Sequence, residues 1–350
     1  RCIIRNNRCC CASVISISDL PDLDVTAPDP STAAIRFSYL MSGLVENNVV
    51  DHSFGEGMDV DKYNHGTAEA PTIVRNNTIH DTSHVALYLL WSRHLHIYNN
   101  IVYHTRNSGA HQAQSPHTPG NCLTFRDEKA GTPSGNFGSD TGEYYAVYNN
   151  LCVNGNVLFN IGAQKHLYLG FNTFVSGYYT YNAGVIASAD ARGIFENNII
   201  VDAVSQRVPA PPSGYQGNFR LTANSFSITR QNAWSYPPTS AWRKPGDVYG
   251  ATSAAGSVEA KKLGLVNPLR DLATTGWGYY QTFAEFDAAV SDNFNAADYH
   301  LTTDAPPRNA AGGRASTADV VVPLLPFQQD YRGAARDATP DMGFHEAAGQ

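Results

Sequence analysis

Charge is what this sequence has least of. Only 16% of its 350 residues are Asp, Glu, Lys or Arg, against about 25% in an ordinary soluble domain. Long hydrophobic runs are missing too: no stretch approaches the roughly 18 to 20 uninterrupted apolar residues of a membrane span, so none is expected. With 24 basic against 31 acidic residues and a formal charge of -7, the chain lacks the cationic surface that duplex nucleic acid demands, and nucleic acid is excluded as a general partner. Cysteine with metal-type spacing is also lacking. Of the six cysteines, Cys9, Cys10 and Cys11 are adjacent while Cys122 and Cys152 stand far away, and they read as mostly free or buried thiols. Glycine (29) and proline (19) are plentiful, a loop-rich composition short of disorder or collagen.

One short pattern recurs along the chain: β-branched or aromatic residues, a doublet ending in Asn, then another apolar pair. It appears as Ile4-Arg5-Asn6-Asn7, Val45-Glu46-Asn47-Asn48, Val74-Arg75-Asn76-Asn77 and Ile97-Tyr98-Asn99-Asn100. It continues as Val147-Tyr148-Asn149-Asn150, Leu169-Gly170-Phe171-Asn172 and Phe195-Glu196-Asn197-Asn198, with a weaker Arg230-Gln231-Asn232. The second Asn recurs at gaps of 41, 29, 23, 50, 22, 26 and 34 residues. A floor near 22 with variable excess is the mark of a β-solenoid, whose coils must close on themselves but can bulge outward. Asn tolerates left-handed backbone and its amide both donates and accepts, so stacked turns can form an Asn ladder. The opening Arg1-Cys2-Ile3-Ile4 already matches the repeat, which suggests a coil cut partway and N-terminal coils missing from this chain.

A strand with period-2 alternation precedes each later doublet at a fixed phase: Ala34–Ser38, Gly57–Asp61, Val85–Leu89, Asn121–Arg126, Val157–Ile161, Gly184–Ala187 and Asn218–Leu221. Over residues 1 to 235 the chain thereby resembles the right-handed parallel β-helix proteins of the pectate-lyase-like superfamily. The tail, with Asn267-Pro268-Leu269, Asp298-Tyr299-His300-Leu301, Asp330-Tyr331-Arg332-Gly333, Arg336 and Asp341-Met342-Gly343-Phe344-His345-Glu346, is similar to the closing region of secreted bacterial β-helix proteins. The fold expected is all-β, a right-handed parallel β-helix with three strands per coil. Residues 1–235 would form the coils, and 236–350 loop-rich C-terminal coils and a cap packed on them. A solenoid needs such a cap, since its last coil otherwise leaves an unpaired edge.

The resemblance implies that substrate lies in a groove along one sheet, walled by long loops. With Ile35, Phe37, Met58, Val60, Val85, Leu87, Leu89, Leu123, Phe125, Val157, Phe159 and Ile161 inward, alternation sends Arg36, Ser38, Asp59, Asp61, Ala86, Tyr88, Thr124, Arg126, Leu158 and Asn160 outward. Arg36, Asp59, Asp61, Tyr88 and Arg126 then make one polar patch, with Lys62 at its edge. The longest insertions flank it, and nine of the twelve histidines fall between residues 52 and 117. Asp59 and Asp61, outward neighbours on one strand, can bind a cation jointly or divide acid and base roles. A uronate lyase would use them for Ca²⁺, with Lys62, Tyr88 or a His removing the C5 proton and Arg36 or Arg126 stabilising the enolate-like intermediate. A glycoside hydrolase would use the two Asp directly, and paired with neighbouring Arg they would merely solvate the surface. Four residues beyond successive second Asn residues stand His52, Asp81 and His104, either transition-metal ligands or a polar ladder closing the turns.

The expectation is a secreted or cell-surface protein with a polysaccharide as substrate or ligand, a polysaccharide lyase in the first instance. A glycoside hydrolase and a non-catalytic filament or glycan-binding β-helix are the alternatives.

Overall fold

Three-strand coils form because short β-branched runs alternate with residues that turn the chain without glycine. The computed structural model describes residues 2–10, 33–38, 42–51, 53, 55–61, 66–82, 84–90, 92–103, 121–126, 143–153, 159–162, 166–176, 193–202, 226, 228–238, 243–252, 257, 260, 263–265, 301–302, 304–308, 310–314, 320, 323, 325–337 and 340–343. The first coil is β1 (Cys2–Arg5), β2 (Arg8–Cys10) and β3 (Ala33–Ser38), and the second β4 (Gly43–Glu46), β5 (Val49–Asp51) and β6 (Glu56–Asp61). The third is β7 (Thr72–Arg75), β8 (Thr78–His80) and β9 (Val85–Leu90), and the fourth β10 (Arg93–Tyr98), β11 (Ile101–Tyr103) and β12 (Asn121–Arg126). The fifth is β13 (Glu143–Tyr148), β14 (Leu151–Val153) and β15 (Phe159–Gly162). Then come β16 (Leu167–Gly170), β17 (Thr173–Ser176), β18 (Gly193–Glu196), β19 (Ile199–Asp202), β20 (Ile228–Arg230), β21 (Ala233–Trp234) and β22 (Val248–Tyr249).

Each strand pairs in parallel with its counterpart one coil away. The first sheet runs β1-β4-β7-β10-β13-β16-β18-β20, the second β2-β5-β8-β11-β14-β17-β19-β21-β22, and the third β3-β6-β9-β12-β15. This is a right-handed parallel β-helix. The strands proposed at 184–187 and 218–221 lie outside the described residues.

The doublets form the corner between the first and second sheets. The first residue of each doublet takes a left-handed conformation (Asn6, Asn47, Asn76, Asn99, Asn149, Asn197, φ 53–58°), as do Phe171 and Gln231 where Asn is replaced. The second Asn turns inward. Its Nδ2 donates to the Oδ1 of the next Asn at 2.9–3.1 Å, unbroken from Asn7 through Asn48, Asn77, Asn100, Asn150, Asn172 and Asn198 to Asn232. The ladder ends on Asp247, whose Oδ1 accepts the Asn232 amide at 2.9 Å. Every ladder Asn from Asn48 to Asn232 is buried, and shared hydrogen bonds offset what that burial would otherwise cost.

The interior is aliphatic toward the N-terminus (Val45, Val50, Met58, Val60, Val74, Ile79) and aromatic toward the C-terminus (Phe125, Tyr145, Phe159, Phe174, Phe195, Trp234). Cys122 and Cys152 are buried in this core and Cys2 and Cys9 half-buried, none of the four in a disulfide. Burial pushes the Cys152 thiol well above its ordinary range, and Cys122 beside it adds to the effect.

The C-terminal residues lie along the side of the stack. Val320, Leu325 and Phe327, the last two in the one-turn helix α1 (Leu325–Gln328), pack on the outer first sheet against Tyr98, Ala146, Tyr148, Tyr168 and Ile194. Leu263, Leu265, Leu301, Ala305 and Met342 pack on the outer second sheet. Between them the strap follows the doublet corner. Asn149 Nδ2 donates to Gln329 O at 2.9 Å, Gly312 N donates to Asn197 Oδ1 at 2.8 Å, and the Phe327 ring meets Phe171 edge-on at 4.9 Å.

Candidate functional site

The third sheet carries the residues to which the sequence points. Register places Arg36 beside Asp59, Asp59 beside Tyr88, and Tyr88 beside Thr124, one row crossing four coils. Two residues further along the strands, Ser38 pairs with Asp61 and Leu90 with Arg126. Arg36, Asp59 and Tyr88 are thus brought together. Asp61 and Arg126 hold their expected strand positions, with side chains outside the described residues. Lys62, His52 and His104 lie outside the described residues altogether.

The row is less open than alternation suggests. The Arg36 side chain is 45% exposed, but the Asp59 side chain only 2%, and Arg36 Nε stands 3.5 Å from Asp59 Oδ2. Tyr88 and Thr124 are buried as well. Tyr88 packs with Val85 and Leu90 in a small apolar cluster of its own.

Alternation itself fails at the start of these strands. Ala86 and Leu87 both belong to the main core, as do Cys122 and Leu123, so two consecutive residues on each strand face inward. Gly57 precedes core residue Met58 in the same two positions, and a Cβ there would stand 2.6 Å from Ala86 O and 2.7 Å from Ile79 Cγ2. Ala86, expected outward, is therefore interior. The slip acts as a bulge would: it moves the residues before the pair to the opposite face, so Val85, expected inward, packs outside with Tyr88 and Leu90. On β6 the residue so moved is Glu56, to which alternation gives no role. Its carboxylate, 4% exposed, lies 3.6 Å from Nδ1 of His84, whose side chain is 49% exposed. The signal that could have revealed it is the small residue column Gly57, Ala86, Cys122, narrow enough to turn inward at a corner beside the regular core position.

Asp81 sits elsewhere, at the corner after β8. It is buried, takes φ 54°, and meets His80 Nδ1 through Oδ2 at 2.9 Å. His80 in turn stacks on Tyr103 with ring centroids 4.6 Å apart. Asp81 is thus a corner residue engaged with its neighbour on the same coil. Among the described residues no group of three or more His, Cys, Asp or Glu side chains is arranged to hold a metal ion. Of the two expected Ca²⁺ ligands, Asp59 faces the Arg36 guanidinium, and the Asp61 side chain lies outside the described residues.

Neither the protein-family models nor the curated proteins include a match to this chain. Among the described residues, no helix is long and apolar enough to cross a membrane.

Proposed function

We propose that this parallel β-helix is a pectate-lyase-like secreted protein that cleaves a uronate-containing polysaccharide by β-elimination on the outer face of its third sheet. The observation that carries the reading is the row Arg36, Asp59, Tyr88, Thr124, in register across four coils, with a half-exposed guanidinium anchored by a buried carboxylate. Asp59 holds Arg36 in a fixed pose, and a fixed cation neutralises a uronate carboxylate better than a mobile one, since its orientation is set before substrate arrives. Neutralisation makes the C5 proton acidic. A base on this face removes that proton, its C–H electron pair forms the C4–C5 double bond, and the C4–O bond breaks with its electrons leaving on the glycosidic oxygen, which takes a proton from water. Lys62, Tyr88 or a histidine is the base, and Arg126 a second cation for the intermediate.

A panel of uronate polysaccharides, followed by the absorbance of the unsaturated product, tests this. Absorbance should rise with at least one glycan, and Arg36→Ala should lower kcat/KM by about 10²-fold, the scale of losing one preorganised charge partner. Silence across the whole panel overturns the lyase. Reducing ends released without absorbance would give the site to hydrolysis by Asp59 and Asp61.

The burial of Asp59 and Tyr88 favours a second reading, a β-helix that binds glycan or builds a surface filament without cleaving. In it Arg36 and Asp59 are a ladder pair along the sheet. Glycan retained by the protein with no product of either kind would establish it.

A further inference from the structure

We propose that Glu56 and His84 form a carboxylate–imidazole dyad in which His84 is the proton-accepting base of the third-sheet face and Glu56 the residue that positions it. The inference rests on the lyase reading for its substrate, an acidic sugar with an acidic C–H bond, but its geometry stands apart from that reading.

The backbone fixes both partners. The His84 amide donates to Gly55 O at 3.3 Å, and His84 O accepts the Asn121 amide at 2.7 Å, so the residue is pinned between the coil below and the coil above. Glu56 O accepts the Ser53 hydroxyl at 2.8 Å, which holds the turn leading into β6. From these two anchors Glu56 Oε1 and His84 Nδ1 face each other at 3.6 Å. That is longer than a hydrogen bond, as such contacts often are before substrate closes over them.

The unequal exposure of the two groups decides their roles. A buried carboxylate beside one ring nitrogen holds the proton there, on Nδ1, and leaves Nε2 as an acceptor. With nearly half of the imidazole exposed and the carboxylate almost wholly covered, the free nitrogen is the one that substrate can reach. Glu56 also stabilises the imidazolium formed once the proton is taken. The contrast with Asp59 on the same strand is direct: there the buried acid faces a group that is always charged, so it can position Arg36 but sets up no base.

The test begins with the wild-type protein, selectively ¹⁵N-labelled at histidine, with the His84 ring signals assigned by their loss in His84→Gln. In its neutral form His84 should be the Nδ1–H tautomer, the minor form of a free imidazole. Glu56→Met, which removes the acceptor at similar volume, should return it to Nε2–H, and Glu56→Gln, which keeps an acceptor oxygen, should preserve the wild-type form. On a polysaccharide that the protein cleaves, His84→Gln should lower kcat by about 10²-fold or more with little change in KM, and Glu56→Met by about 10-fold. An Nε2–H wild-type His84 overturns the dyad whether or not any glycan is cleaved. Cleavage that survives His84→Gln undiminished overturns its role as base while leaving the lyase intact. The Nδ1–H form with no cleavage of any uronate sinks the lyase reading and leaves the dyad standing.

Discussion

The same corner, built eight times from the same doublet, is open in its first half and covered in its second. Asn6, Asn47 and Asn76 are exposed and Asn99 is half-buried, whereas Asn149, Phe171 and Asn197 are buried under the C-terminal strap. Backbone geometry does not differ: φ stays between 53° and 58° at all seven. What differs is the use made of the side chain. In the open half the left-handed residue needs only to tolerate its conformation, which Asn does at small cost. In the covered half it must also hold the strap, through amide hydrogen bonds at Asn149 and Asn197 and through a ring at Phe171. An aromatic residue at positive φ is strained on its own, and here Phe327 and the Arg336 guanidinium, 4.6 Å over the ring, hold it in place.

The largest expected effect comes from breaking the ladder where it is covered. Asn172 accepts from Asn150 and donates to Asn198 Oδ1, Val147 O and Gly170 O. Asn172→Ala strands these groups in the interior, and at about 1–3 kcal/mol for each buried group left unsatisfied the loss should exceed roughly 3 kcal/mol. Asn7→Ala, at the exposed end, should cost less than about 1 kcal/mol because water replaces what is removed. Chemical denaturation of the two variants measures the contrast, and equal losses would show that water does not replace what Asn7 contributes at the exposed end.

Next in size is the strap itself. Arg336 donates to Asp341 O at 2.9 Å, Gly343 O at 2.7 Å and Asn149 Oδ1 at 3.3 Å. Arg336→Met keeps much of the packing and removes all three donors, for an expected loss of about 2–3 kcal/mol. Hydrogen exchange locates the damage. Protection should fall at the amides of Phe171 and Asn197 and along 329–343 while Asn48 and Asn77 keep theirs. A uniform fall along the stack would mean that the strap holds the whole solenoid and not its second half.

How much of this was legible follows from sequence distance. The ladder was, because each doublet is a local signal and the seven Asn–Asn bonds repeat it; even Asn232, without a leading Asn, takes its place. The alignment of Arg36, Asp59 and Tyr88 was legible from strand phase. The burial of Asp59 and Tyr88 was not, since alternation says which way a side chain points and nothing about what lies over it. Glu56 was missed because two consecutive inward residues reset the phase before Met58, and the one cue was a column of small side chains. The path of the strap was invisible: the Asn149–Gln329 bond joins residues 180 apart, and the motif Asp330-Tyr331-Arg332-Gly333 marks a tight turn, closed by Asp330 Oδ1 accepting from the amides of Arg332 and Ala334, without saying where that turn docks.

The smallest effect separates the two halves by pH. On the outer first sheet His96 pairs in register with Ile73 on one side and Ala146 on the other, just where the cover begins, while the same row further on holds Tyr168, Ile194 and Ile228. Burial, helped by His94 on the same strand, holds the His96 imidazole below its ordinary value of 6.5. Above pH 6.5 the ring is neutral in both the folded and the unfolded chain and contributes no pH dependence. As pH falls through 6.5 the unfolded chain takes up the proton first, so stability falls, and goes on falling until pH passes below the depressed folded value, where both states are protonated. One proton gives at most about 1.4 kcal/mol per pH unit over that window. His96→Leu should flatten the decline: between pH 7.5 and 5.5 its Tm should drop by less than that of the wild type, and above pH 7 the two slopes should coincide. Equal slopes below pH 6.5 would place the acid sensitivity elsewhere and remove this distinction between the open and the covered half.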